Sequence, residues 1–209
     1  MKANGKPVVT DAYQEAFNEV LRRVQNQLKG SNPGTLPIKM YIAGGAALHL
    51  LTGERVTEDI DATFSRRVLL DDAIEVSYRD PDGRARLMYL DRNYNDSLGL
   101  LHEDAYTDSK PYDVPGVDKA VVDVRVLSPV DLAVSKLSRF SDQDRADIEL
   151  LARKGLIHAT ALRARAEHAL QGYVGNTAPV RTSIDIACRL VEELAPGEKP
   201  GTKRAEFEG

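Results

Sequence analysis

Two short segments hold the residues best suited to chemistry. In Asp59-Ile60-Asp61 the carboxylates are two positions apart. In an extended strand that spacing projects both to one face, while Ile60 packs behind them. An aligned pair of carboxylates suits Mg²⁺ (or Mn²⁺), which takes oxygen ligands, keeps several waters and is commonly completed by the phosphates of a nucleotide. A nucleoside triphosphate (NTP) is the natural ligand of such a pair. Gly44-Gly45 lies between the apolar run Ile38 to Ala43 and a helical pattern from Ala46 to about Leu51. At a strand-to-helix turn, bare N–H groups and the helix dipole favour phosphate, and the missing Cβ atoms permit close approach. Arg55 and Thr57 continue the two-residue spacing, so a strand reaching that far sets them on the same face, with Arg55 near phosphate or the aspartates. Taken alone, a Gly-Gly turn is ordinary tight geometry and Asp-x-Asp is more often a solvated edge. Their order and spacing make a metal–nucleotide site the stronger reading.

A second group lies further along the chain. Lys136 follows the nearly continuous apolar helical stretch Val130 to Val134, and Arg139 lies one turn on along the same face. One reading is a lysine snorkelling from the helix edge toward Asp131, Asp144 or Asp147. The preferred one brings Lys136 to the β- or γ-phosphate, where it offsets charge on the leaving pyrophosphate.

The elements that must position these residues are well marked. Tyr13, Phe17, Val20, Leu21, Val24 and Leu28 recur at three and four, predicting an amphipathic helix that Thr10 caps and Gly30 ends. Ser31 to Gly34 reads as a loop. Strict alternation from Asp59 to Ser65 predicts a half-buried strand. Ala73 to Tyr78 and Arg84 to Leu90 flank a hairpin turn at Asp80-Pro81-Asp82-Gly83, and Val121 to Leu127 is a further β-branched run. Beyond it the texture becomes helical. Ser128-Pro129-Val130-Asp131 and Ser141-Asp142-Gln143-Asp144 resemble capping boxes with Asp in place of Glu, and Gly155 closes the second helix. Helical patterns follow over Ala159 to Gln171 and Arg181 to Leu194, then a Pro/Gly/Lys/Glu-rich tail. The expected organisation is an α/β (α+β) mixed-sheet core over residues 1–127, a helical region over 128–194 that closes the site, and a flexible tail over 195–209.

Composition excludes several classes. The 209 residues are 42% apolar, enough for a real core. A net charge of -4 argues against indiscriminate coating of nucleic acid or anionic lipid. The longest nearly apolar stretch, Tyr41 to Leu51, is far shorter than a membrane span needs, and the polar start lacks a secretory signal, so the expected location is cytoplasmic. Cys188, the single cysteine, reads as a buried small apolar residue, which excludes disulfides and thiolate cages. His49 falls within an apolar helix and reads as a packed neutral histidine. His102-Glu103-Asp104, His158 and His168 are expected at the surface. Arg153, Lys154, Arg163 and Arg165 form the basic cluster of the helical half, either a solvated face or a guide for an RNA backbone.

With these motifs in place, the chain resembles the nucleotidyltransferase superfold, whose signature is Gly-Gly or Gly-Ser followed by Asp-x-Asp. Within it the chain looks most like the abortive-infection and type IV toxin nucleotidyltransferases. Leu127 to Leu137 matches their lysine motif and Asp144-Arg145-Ala146-Asp147-Ile148-Glu149-Leu150-Leu151 their last one, so the likeness spans Tyr41 to Leu151. It departs from the Arg-Asp-x-x-Asp-Leu pattern of those toxins, because Ala146 separates Arg145 from Asp147. The last role thus falls to Asp144 or Asp147, with Asp147 favoured. The resemblance implies a metal-dependent enzyme that moves a nucleotidyl group from an NTP to a tRNA 3′ end or a protein hydroxyl, with a cognate antitoxin as partner. The alternatives are a small-molecule acceptor and a non-catalytic nucleotide- or partner-binding module. It also implies a third carboxylate on a neighbouring strand. Asp91 and Asp123 compete; Arg125 shares a face with Asp123 and can satisfy it structurally, so Asp91 is favoured as the third metal ligand.

Overall fold

A computed structural model of the chain describes residues 9–30, 32–70, 73–91 and 99–194. The expected tail and the polar start fall outside the described residues. Helix α1 (Asp11–Leu28) begins where Thr10 accepts a hydrogen bond from the Tyr13 N–H, and it buries the apolar stripe read from its spacing. Strand β1 (Ile38–Ile42) leads into α2 (Gly44–Thr52), which Gly53 ends in the left-handed region. The remaining strands are β2 (Asp59–Phe64), β3 (Glu75–Arg79), β4 (Ala85–Asp91), the two-residue β5 (Lys110–Pro111) and β6 (Val122–Val126). Helices α3 (Pro129–Ser135), α4 (Asp142–Arg153), α5 (Ala159–Ala169) and α6 (Thr177–Leu194) complete the described residues.

The strands form one mixed sheet in the order β3-β4-β2-β1-β6-β5. β1 runs antiparallel to β2 and parallel to β6, while β2 runs parallel to β4 with Asp59 opposite Tyr89 and Asp61 opposite Asp91. The mixed α/β architecture expected from the pattern is therefore present. Ile60 and Ala62 face the core and Asp59 and Asp61 do not, as the alternation requires. One contiguous core joins α1, the sheet and the helices from α3 to α6.

Three local expectations are corrected. β2 begins at Asp59, so Arg55 and Thr57 lie on the preceding loop and not on the strand. α3 ends at Ser135, leaving Lys136 as its C-cap and Arg139 in the turn that follows. α6 starts at Thr177, earlier than its apolar periodicity, because Pro179 is tolerated in the first turn of a helix, where N–H groups lack helical partners. Among the described residues no helix is long and apolar enough to cross a membrane.

Candidate active site

The glycines, the aspartate strand and the α3–α4 turn converge on one cleft of about 530 Å³. It is lined by Gly44, Gly45, Arg55, Thr57, Asp59, Asp61, Asp91, Lys136, Arg139, Asp144 and Asp147. Asp123 is not among them; Arg125 donates to its carboxylate at 3.1 Å, the structural alternative foreseen for it.

One wall is the sheet. Alternation along β2 puts Asp59 and Asp61 on a single face, and the parallel register brings Asp91 alongside Asp61. Burial pushes the Asp61 carboxyl up to about 6; Asp59 and Asp91 add to the rise, while Lys136 and Arg139 oppose it. Gly44 is fitted to this wall. It sits at φ +56, and a Cβ added to it would overlap the Asp61 carboxylate. A Cβ on Gly45 would lie 3.1 Å from Thr57 Oγ1. The bare backbone thus makes room for the protein's own Asp61 and Thr57 side chains, a use of the glycines that sequence reasoning did not foresee. α2 opens at Ala43 without a side-chain cap, so its first N–H groups keep their capacity for an acceptor.

The loop before β2 is held from behind by α1 and α2. His49, buried at 3% exposure, meets the Arg55 carbonyl through Nδ1 at 3.0 Å, and burial lowers its pKa, so it is the packed neutral residue expected. Tyr13 accepts a hydrogen bond from the Thr57 N–H at 3.2 Å, and burial raises its phenol to about 12. The Thr57 hydroxyl in turn donates to Asp59 Oδ1. Tyr13 was legible only as a core residue of a helix. No local signal ties it to a loop that far along the chain.

The other wall is built by α3 and α4. Lys136 is 7% exposed and donates to Asp147 Oδ2 at 2.6 Å, with Asp144 Oδ1 at 3.8 Å. Asp147 also accepts from Gln143 at 2.9 Å and lies 3.4 Å from Arg55 Nε. That nitrogen is buried and lacks a hydrogen bond, so the ion pair with Asp147 is what offsets its burial. Asp144 serves a different purpose. It accepts from both Arg139 nitrogens at 2.8 and 2.7 Å and closes the capping box with Ser141. Burial alone would raise its carboxyl; Arg139, Ser141 and Lys136 together hold it down to about 2. Between the two helices Phe140 takes a left-handed φ of 46, with the Arg145 guanidinium over its ring, a strained turn fixed by packing.

The expected basic cluster does not form a free surface. Arg153 pairs with Glu149, Lys154 with Glu54 and Arg163 with Asp185, while Arg165 binds the fully buried Asp131 at 2.7 Å and reaches Asp108. Arg165 is thus a clasp between α5 and the start of α3. His102 also departs from expectation. It is 5% exposed and hydrogen-bonded to the half-exposed His168.

The donor set fits a hard cation. Among the described residues no three carboxylate, imidazole or thiolate groups close into a ready-made cage. Mg²⁺ commonly takes only one or two carboxylates and completes its shell with water and phosphate. Neither a curated protein nor a solved structure matches the chain closely enough to add to this geometry. A family model does match, over residues 19–180, and its description reads "Nucleotidyltransferase of unknown function (DUF6036)". That span includes both walls of the cleft, and the chain belongs to this nucleotidyltransferase family.

Proposed function

We propose that this nucleotidyltransferase is metal-dependent and moves a nucleotidyl group from an NTP to an acceptor hydroxyl in the cleft between β2 and α4. The observation that carries the reading is the charge layout. Five carboxylates and three cations line the cleft, so a triphosphate cannot enter favourably without a cation of its own. Asp59 and Asp61 would hold Mg²⁺ or Mn²⁺, with Asp91 as third ligand, and the ion would supply charge neutralisation and Lewis-acid activation at the α-phosphate.

The chain's own residues divide the remaining work. Gly44, Gly45 and the opening of α2 offer N–H groups to the phosphates, and Arg55 adds positive charge at the cleft. Lys136 and Arg139 lie opposite the aspartates and offset the charge of the departing pyrophosphate. Asp147 holds Lys136 and Arg55 in place, so its part is positioning. Thr57, anchored by Tyr13, fixes the Asp59 carboxylate. In the transfer the acceptor oxygen bonds the α-phosphorus and the α–β bridging bond breaks, its electron pair leaving on pyrophosphate. The hydroxyl proton goes to a carboxylate of the sheet wall.

Of the acceptors that the toxin resemblance suggests, the tRNA 3′ end gains less support from the basic cluster, since each of those cations has an acidic partner. The test is incubation with Mg²⁺, each NTP labelled at its α-phosphate, and separate pools of total tRNA, cell protein and small molecules. Label should enter one pool with release of pyrophosphate, and Asp61→Asn should abolish it. Mg²⁺-dependent triphosphate binding without transfer to any pool would favour a binding module.

A further inference from the structure

A second cavity, of about 560 Å³, opens beside the cleft and shares Gly99, Leu100 and Leu101 with it. The two share this stretch of wall, so a molecule in the second lies next to the nucleotide site. Its size lies in the range of small-molecule sites. Its other walls are the His102–His168 pair and the loop after α5, where Tyr173 is half-buried and Val174 stands 95% exposed at the mouth.

The histidine pair is arranged with a defined polarity. The Asp104 N–H donates to His102 Nδ1 at 3.1 Å, so His102 carries its proton on Nε2 and gives it to His168 Nδ1. His168 is left with Nε2–H as a fixed donor, 4.0 Å from the Glu103 carboxylate. The cavity thus offers one oriented donor, one carboxylate acceptor, an aromatic face and aliphatic surface. Among the described residues lining it there is no Lys or Arg. A polyanionic backbone would need cations there.

We propose that this cavity is the acceptor subsite, and that the acceptor is a small hydroxyl-bearing molecule without phosphates, neutral or positively charged. The proposal rests on the nucleotidyl-transfer reading, because a two-substrate reaction needs room for the acceptor beside the nucleotide. Hydrogen bonds to His168 and Glu103 and packing on Tyr173 and Val174 would orient its hydroxyl toward the sheet wall.

The experiment offers the full chain, Mg²⁺ and α-labelled NTPs to total tRNA, to cell protein and to a low-molecular-weight cell filtrate. It compares wild type with Val174→Arg, a change at an exposed position that spares the fold, and with His168→Ala and His168→Gln. Label should enter the filtrate. Val174→Arg and His168→Ala should raise the filtrate concentration needed for half-maximal transfer more than tenfold, His168→Gln should recover part of the loss through its amide donor, and triphosphate affinity measured by calorimetry should be unchanged. Label in tRNA or protein, or transfer indifferent to both Val174→Arg and His168→Ala, overturns the subsite. Wild-type protein that binds no NTP with Mg²⁺ present overturns the nucleotidyl reading itself and this proposal with it.

Discussion

The two walls of the cleft use the same residue to opposite ends. On the sheet, Asp61 stands beside Asp59 and Asp91, and burial with like charge lifts it to about 6. On the helices, Asp144 is deeper still, yet Arg139, Ser141 and Lys136 hold it near 2. The helical wall is electrostatically complete before any ligand arrives. The sheet wall is not: its strand register forces carboxylates together at the expense of the free protein's stability. Unfavourable charge is thus concentrated where the proposed metal would bind, and satisfied ion pairs where the proposed phosphates would lie.

The sharpest way to break this contrast is Asp61→Asn. Transfer should fall by about a thousandfold or more, since a ligand of the proposed metal is lost. The metal-free protein should become more stable by up to about 3 kcal/mol at pH 7. The sign follows from linkage. A carboxyl raised from 3.8 to about 6 binds its proton more tightly when folded, so its cost appears as pH rises through the lower value and is complete above the higher one. Urea titrations in chelator at pH 5 and pH 8 check it; a destabilised variant at pH 8 would mean the carboxylates are not in conflict.

Breaking the helical wall should do the reverse. Lys136→Ala leaves Asp147 buried and short of its main partner, which costs about 3–5 kcal/mol, and should weaken triphosphate binding more than tenfold. Lys136→Arg should restore stability better than affinity, because a guanidinium can meet Asp147 but is wider than an ammonium. Denaturation and calorimetry on both variants separate the two effects. Gly44→Ala sits between the walls. A left-handed φ and a collision with Asp61 together predict a loss of about 2–4 kcal/mol and of activity, measured by the same titration.

Asp144→Asn should cost about 2 kcal/mol at pH 7. Its depressed carboxyl contributes stability in full above the unfolded value of 3.8 and loses it as pH falls toward about 2, so wild type and variant should converge in acid. Parallel curves down to pH 2 would deny the ion pair its role. The smallest effect is expected at Arg163→Glu. Its pair with Asp185 is exposed and screened by solvent, so stability, transfer and the salt dependence of transfer should be unchanged.

What could be read from the sequence follows the range of the forces involved. Period-two alternation fixed which faces Asp59, Ile60 and Asp61 occupy, and the capping residues Ser128 and Ser141 marked where α3 and α4 begin, because strand pleat and helix caps are set by neighbours. That Arg125, two residues away, satisfies Asp123 also needed only local sense. Partnerships made by tertiary packing were not legible. The basic cluster dissolved into ion pairs with Glu54, Asp108, Asp131, Glu149 and Asp185, most of them remote in sequence. His102 was buried by His168 from α5, and Tyr13 reached Thr57 from α1. The close fit of Gly44 to Asp61 depends on two strands meeting at one turn, and periodicity carries no record of it.

If the cleft accepts triphosphate only together with a cation, calorimetric titration of each NTP into the protein, with Mg²⁺ and then with chelator, will show it. Binding is expected with Mg²⁺ and an affinity at least about a hundredfold lower in chelator, with the Mg²⁺-dependent gain lost in Asp61→Asn. Equal affinity in chelator, or an Asp61→Asn variant that keeps the full Mg²⁺ effect, would contradict it.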